Sequence, residues 1–149
     1  MSGARYRAVA FLTPYQEGPD GEAGGHPAGL RRTAGGRLAT VTDAASVRQA
    51  LLLLLSTRPG ERVNRPAYGC HLFRLAFAPA DDTTAGLAIH YVSRAVEQWE
   101  RRVDVLAVEA DRSAEEPWLL EVRLRYRVRA TQDDDELTVA VPVDAGGRP

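Results

Sequence analysis

Three histidines, one cysteine and a few acid clusters are the side chains here whose types lend themselves to chemistry. Cys70 and His71 are the one adjacent pair of soft metal ligands. Neighbouring side chains diverge, and no second pair stands elsewhere, so the pattern predicts no zinc site. A cysteine nucleophile needs a base and an orienting group converging on it, and no motif supplies them to Cys70. His26 lies in a glycine-rich stretch and His90 on the polar side of a helical pattern, so both read as solvent-facing. No serine sits in a Gly-x-Ser-x-Gly elbow, and no glycine-rich loop leads from a strand into a helix.

Carboxylates are the next candidates. Glu97 and Glu100 fall three apart, and Glu115-Glu116 and Asp133-Asp134-Asp135 are acid clusters in segments expected to be turns. Glycoside hydrolysis requires two carboxyls in different environments across a sugar cleft, one with a raised pKa. Arg94, Arg101 and Arg102 flank the Glu97–Glu100 pair, and cationic neighbours push carboxyl pKa values down. The expectation is therefore no catalytic residue, no metal and no cofactor.

The charge itself is unusual in kind. Bases number 19 against 20 acids, and every base is arginine. Without lysine there can be no Schiff-base or P-loop lysine. A net charge of −1 argues against a general polyanion binder. Arginine's planar fork suits bidentate pairing at protein interfaces. Its boldest placement is a comb, Arg123, Arg125, Arg127 and Arg129. No aromatic residues interleave on the face these four share to stack bases, so the comb reads as a cross-strand-paired face or a protein interface, not as a nucleic-acid site. Glu109, Asp111 and Glu121 are the acids expected to pair with it.

The elements that position these residues follow from periodicity. A strand is expected over Tyr6–Leu12, then a connector from Gln16 to Gly36 holding seven of the 13 glycines. A first helix spans Ala44–Ser56, capped by Thr42 or Asp43. Its five successive leucines sweep a full turn, which marks a helix buried on several sides. Pro59 stops it. A second helix over Thr84–Arg101 follows the Asp81–Thr84 cap, with Ala88, Tyr91, Val92, Ala95 and Trp99 on one face and His90, Arg94, Glu97 and Arg101 on the other. Period two then takes over, with strands Val103–Ala110, Trp118–Arg129 and Leu137–Val143. In the middle strand Trp118, Leu120, Val122, Leu124, Tyr126 and Val128 alternate with the arginine comb. Pro142 suggests an edge position for the last strand. The order predicts an α+β fold, two main helices on a three-stranded antiparallel meander, with room for an N-terminal strand to extend the sheet. The expected division is 1–36 extension, 37–144 main domain and 145–149 tail. The apolar runs are too short to cross a bilayer, and no secretory signal is evident, so a cytoplasmic protein is expected.

Three stretches together resemble one family: Thr57-Arg58-Pro59-Gly60-Glu61-Arg62, then Arg65-Pro66-Ala67-Tyr68-Gly69-Cys70, then Trp99-Glu100-Arg101-Arg102-Val103. They are similar to the gene-twenty-five-like baseplate wedge proteins of contractile tails, with counterparts in phages, type VI secretion systems and extracellular contractile injection systems. The resemblance covers roughly Leu30 to Val143. It implies a structural protein that joins other wedge subunits, meets the first sheath ring, helps start sheath assembly and lies near the spike and inner tube, in six copies of a particle assembled in the cytoplasm. The family's Glu-Pro-Arg at the end of the second helix stands here as Glu100-Arg101-Arg102, with arginine in place of proline. The resemblance implies partner contacts at Glu100, Arg101 and Arg102 and around Arg58, Glu61 and Arg62, with the comb aligning strands from the sheath. Some members of the family have carried a lysozyme label, which makes a peptidoglycan-degrading enzyme the alternative.

Overall fold

The computed structural model describes residues 6–9, 11–12, 29–30, 33–144 and 146. His26, most of the glycine-rich connector and most of the 145–149 tail lie outside the described residues. The chain divides into two units, Met1–Gln49 and Ala50–Pro149.

In the first unit, β1 (Arg7–Val9) pairs antiparallel with β4 (Thr40–Thr42), and β2 (Phe11–Leu12) pairs with β3 (Gly29–Leu30). The expected N-terminal strand thus forms as two short pieces in two-stranded ribbons, outside the three-stranded sheet. Asp43 ties this ribbon to the start of α1 (Asp43–Ser56). Its carboxylate accepts the Tyr6 backbone N–H at 3.1 Å, and its own N–H donates to the Tyr6 carbonyl at 2.8 Å. Six residues further, the Gln49 amide donates to the Val9 carbonyl at 2.7 Å. Along α1, Leu51, Leu54 and Leu55 are buried and Leu52 and Leu53 half-buried, as the all-round leucine run requires.

The second unit carries a 3-10 turn at His71–Leu75, then α2 (Asp82–Trp99) and the meander β5 (Val103–Arg112), β6 (Leu119–Val128) and β7 (Asp134–Pro142). Asp81 caps α2, its carboxylate accepting the Thr84 N–H at 2.8 Å. That bond holds the Asp81 carboxyl below its usual pKa. Ala88, Val92, Ala95 and Val96 form the buried stripe of α2, which packs mainly along β5. From β6, Leu120, Val122, Leu124, Tyr126 and Val128 complete the core. Trp118, placed on the same face by alternation, is instead 54% exposed. It stands one residue before the strand, where its carbonyl accepts the Val143 N–H at 2.7 Å.

The strand order is β5-β6-β7, so β7 is an edge, consistent with Pro142. β7 begins earlier than the turn chemistry suggests. Asp134 and Asp135 belong to the strand because Arg127 and the Tyr126 hydroxyl hold their carboxylates, the latter at 2.7 Å. A register shift between Val105 and Ala107 leaves Leu106 unpaired and exposed on β5.

Candidate partner-binding surface

Two turns meet between α1 and the 3-10 turn. The first, Thr57–Arg62, is closed by the Glu61 carboxylate accepting the Arg58 N–H at 3.0 Å and by Glu61 N–H donating to the Arg58 carbonyl at 3.1 Å. The second, Arg65–Cys70, is pinned to it by Gly60 N–H to the Pro66 carbonyl (2.7 Å) and Cys70 N–H to the Thr57 carbonyl (2.9 Å). Gly69 sits at the contact, with φ +139°. A Cβ there would lie 2.5 Å from the Thr57 carbonyl oxygen and 2.9 Å from Pro59 N. The two motif stretches are therefore one joint, and its glycine is required by close backbone approach.

From this joint aromatic rings lead to the end of α2. The Arg62 guanidinium lies 4.3 Å from the Tyr68 ring centroid, and Tyr68 meets Trp99 edge-on at 5.4 Å. Burial pushes the Tyr68 phenol pKa up against the opposing pull of Arg62. Arg65, Arg102 and Glu100 also act on that hydroxyl. Arg58 covers Phe73 in the same manner at 5.3 Å.

Glu100 is the C-cap of α2, its N–H donating to the Val96 carbonyl at 2.9 Å. Its buried carboxylate accepts Arg102 Nε and Nη2, each at 2.7 Å, and the Arg102 backbone N–H at 3.2 Å. This is a fork-to-fork pair inside the chain. The Arg102 carbonyl in turn accepts the Arg129 N–H at 2.9 Å, fastening the helix end to β6.

The family model for baseplate wedge protein gp25 matches residues 41–133, a span that contains the joint, α2, the Glu100–Arg102 clasp and most of the sheet. The chain belongs to the gp25 baseplate wedge family. It is 32% identical over 91 residues to baseplate wedge protein gp25 of Enterobacteria phage T4, a match covering 61% of this chain and 68% of that protein. A crystal structure from Geobacter sulfurreducens, of a protein provisionally called a tail lysozyme, is 30% identical with a TM-score of 0.63 and covers 71% of this chain and 97% of that one. The fold is also that of a chain in the anti-feeding prophage baseplate, with a TM-score of 0.63 at 20% identity, covering 67% of this chain and 80% of that chain.

Within this gp25-family domain Arg101, standing where the resemblance expects proline, is exposed. The chain leaves the helix at Glu100, whose backbone departs from helical angles at φ −119° and ψ 83°. The Glu100 and Arg102 side chains, expected to reach toward a partner, hold each other, and Arg102 keeps part of its surface open.

The comb is largely spoken for within the sheet. Arg127 forks onto Asp134 at 2.6 and 3.1 Å, and Arg129 meets Asp104 at 2.7 Å. Arg123 lies between Glu109 at 3.7 Å and Glu136 at 3.4 Å. Arg125 alone of the four makes no close ion pair among the described residues. The Arg127 bond holds the Asp134 carboxyl below its usual pKa and raises that of Arg127. Of the acids expected to pair with the comb, Glu109 does so; Asp111 and Glu121 face each other across β5 and β6. Asp104, Asp134 and Glu136 take their places, a result of strand register that composition does not encode.

The structure thus gathers Arg58, Glu61 and Arg62 with Glu100 and Arg102 through Tyr68 and Trp99, and sets Arg123, Arg125 and Arg127 apart on the outer sheet face. The bridging rings and Arg65 were not singled out from sequence as contact residues; arginine two or three residues from an aromatic was their available signal. Cys70 is 2% exposed, burial raises its thiol pKa, and its Sγ lies 3.5 Å from the Tyr91 carbonyl. Those surroundings suit a packed core thiol. Among the described residues no helix is long and apolar enough to cross a membrane.

Proposed function

We propose that this protein is a structural subunit of a contractile particle's baseplate, linking wedge subunits to the first sheath ring and helping sheath growth begin. The observation that carries the reading is the clasped end of α2 joined through Trp99, Tyr68 and Arg62 to the Thr57–Cys70 joint. A rigid corner of this kind presents arginine and aromatic surface, Arg58, Arg62, Arg101 and Arg102, to a wedge partner with little left to order on binding. Six copies around a spike and inner tube, in a particle assembled in the cytoplasm, go with this reading.

For the sheath, the support is the outer edge of β7 before Pro142, since Phe77, Ala78 and Ala80 pair with Pro142 and Asp144 at its end. Val143 N–H points into the sheet toward Trp118, so by alternation the N–H groups of Thr138 and Ala140 point outward. An incoming sheath strand would pair there by backbone hydrogen bonds, with the comb face beside it. Removing Leu137–Val143 outright would strip Leu137, Val141 and Val143 from the core, so the informative variant is Ala140→Pro, which deletes one outward donor. It should fold and join the baseplate yet stall sheath growth; normal sheaths would refute the edge contact. For the wedge contact, a Glu100→Ala, Arg102→Ala variant should fold and fail to co-purify with wedge partners, and retained co-purification would refute that role.

The second reading, a tail lysozyme, is favoured only by the name carried by the Geobacter relative. Against it, the Glu100 carboxylate is fully engaged by Arg102 and Glu97 is exposed on open helix surface. Digestion of purified peptidoglycan separates the two: no release of fragments is expected.

A further inference from the structure

The joint leaves a half-open groove of about 320 Å³ between its backbone and the outer side of α2. Pro59 and Gly69 form one wall, and His90, Arg94 and Gln98 form the other, with Trp99 and His71 in the groove as well. The imidazole of His71 is fixed between the Phe73 and Tyr91 rings, 6.1 and 5.8 Å away by centroid. Among the described residues no carboxylate lines the groove, although the whole chain holds 20 acids against 19 bases. The Arg94 guanidinium stands exposed at its side and makes no ion pair among the described residues. Arg62 extends the same cationic surface beyond Trp99 through the Tyr68 stack.

The geometry points to this groove as the docking site for an acidic, extended segment of another baseplate protein. Charge complementarity selects the occupant. A lining that carries the Arg94 charge and no acid favours carboxylates over basic segments. The aromatic and small-residue walls, Trp99, Tyr91 and Gly69, accept apolar side chains between the acids. A guanidinium free to fork onto a carboxylate gives the contact its register. Because Trp99 also meets Tyr68 edge-on and directly precedes Glu100, occupancy here is physically continuous with the clasp at Glu100.

This inference rests on the baseplate reading and can fail separately from it. A photo-crosslinking amino acid is placed at Gln98, with Arg74 on the exposed 3-10 turn as a control position, in particles assembled from the gene cluster that encodes the chain. Crosslinked peptides are then sequenced by mass spectrometry. The expected result is capture, from Gln98 only, of a segment of another subunit carrying several Asp or Glu residues. Arg94→Glu should cut that crosslink about tenfold, the loss of one charge-assisted pair, and Arg94→Lys should retain most of it. A neutral or basic segment, nucleic acid, a second copy of this chain, or no crosslink from a chain that does enter particles would overturn the groove's assignment. A chain that never enters particles overturns the baseplate reading with it.

Discussion

Gly69 is where the family motif meets a hard steric limit, and its substitution by alanine has a calculable cost. The new Cβ would lie 2.5 Å from the Thr57 carbonyl oxygen, well inside ordinary van der Waals contact of 3.4–4 Å. The φ of +139° adds backbone strain for any residue with a Cβ, a cost of about 1–3 kcal/mol. Relieving the overlap means moving Gly69 away from Thr57. That movement breaks the Cys70 N–H bond to the same carbonyl, a further loss of about 1 kcal/mol. The total is roughly 2–4 kcal/mol, equivalent to a Tm lower by about 5–15 °C for a chain of this size. Gly60→Ala is the control. Gly60 has φ +95° but open space where its Cβ would stand, so only the strain component applies. Thermal and urea unfolding of wild type and both variants read the difference. Gly69→Ala melting no lower than Gly60→Ala would refute the close-approach account of the joint.

Three smaller outcomes follow from the same contacts. Tyr126→Phe removes the buried hydroxyl's bond to Asp135 and should cost about 1–2 kcal/mol in urea unfolding; an unchanged midpoint would contradict that bond. The Asp134 carboxyl is held low by Arg127, so its stabilisation is present above the unfolded carboxyl pKa and is lost as pH falls through the lower folded value. Asp134→Asn should therefore flatten the fall in Tm below about pH 4, and a parallel acid profile would count against the pair. Cys70, buried and with its thiol pKa raised, should resist a thiol-specific reagent in the native protein and react fully in denaturant.

Much of the architecture was readable in the residues. The alternation from Leu120 to Val128, the Asp81 cap, the leucine run of α1 and the edge placement of Pro142 all express strong local rules, and the structure follows them. Local rules failed where long-range partners decide. Asp134 and Asp135 look like turn residues in isolation and become strand because Arg127 and Tyr126 are opposite them. Trp118 has the right parity for burial and ends up exposed because the strand begins after it. The motif stretches were legible as signatures, whereas their physical reason, two turns locked through Gly69, needs both segments in place. For the contact surface, arginine positions were visible from the start. Which of them are consumed inside the chain, as with Arg123, Arg127 and Arg129, depends on register.

This domain works as a structural joint in a baseplate. Affinity purification of the tagged chain from cells that produce the particle, followed by electron cryomicroscopy, tests that role most directly. Six copies are expected in a ring at the foot of the sheath, with the Glu100–Arg102 end of α2 against wedge subunits and the outer edge of β7 against sheath strands. Intact particles of sheath, tube and spike from which this chain is missing would contradict it.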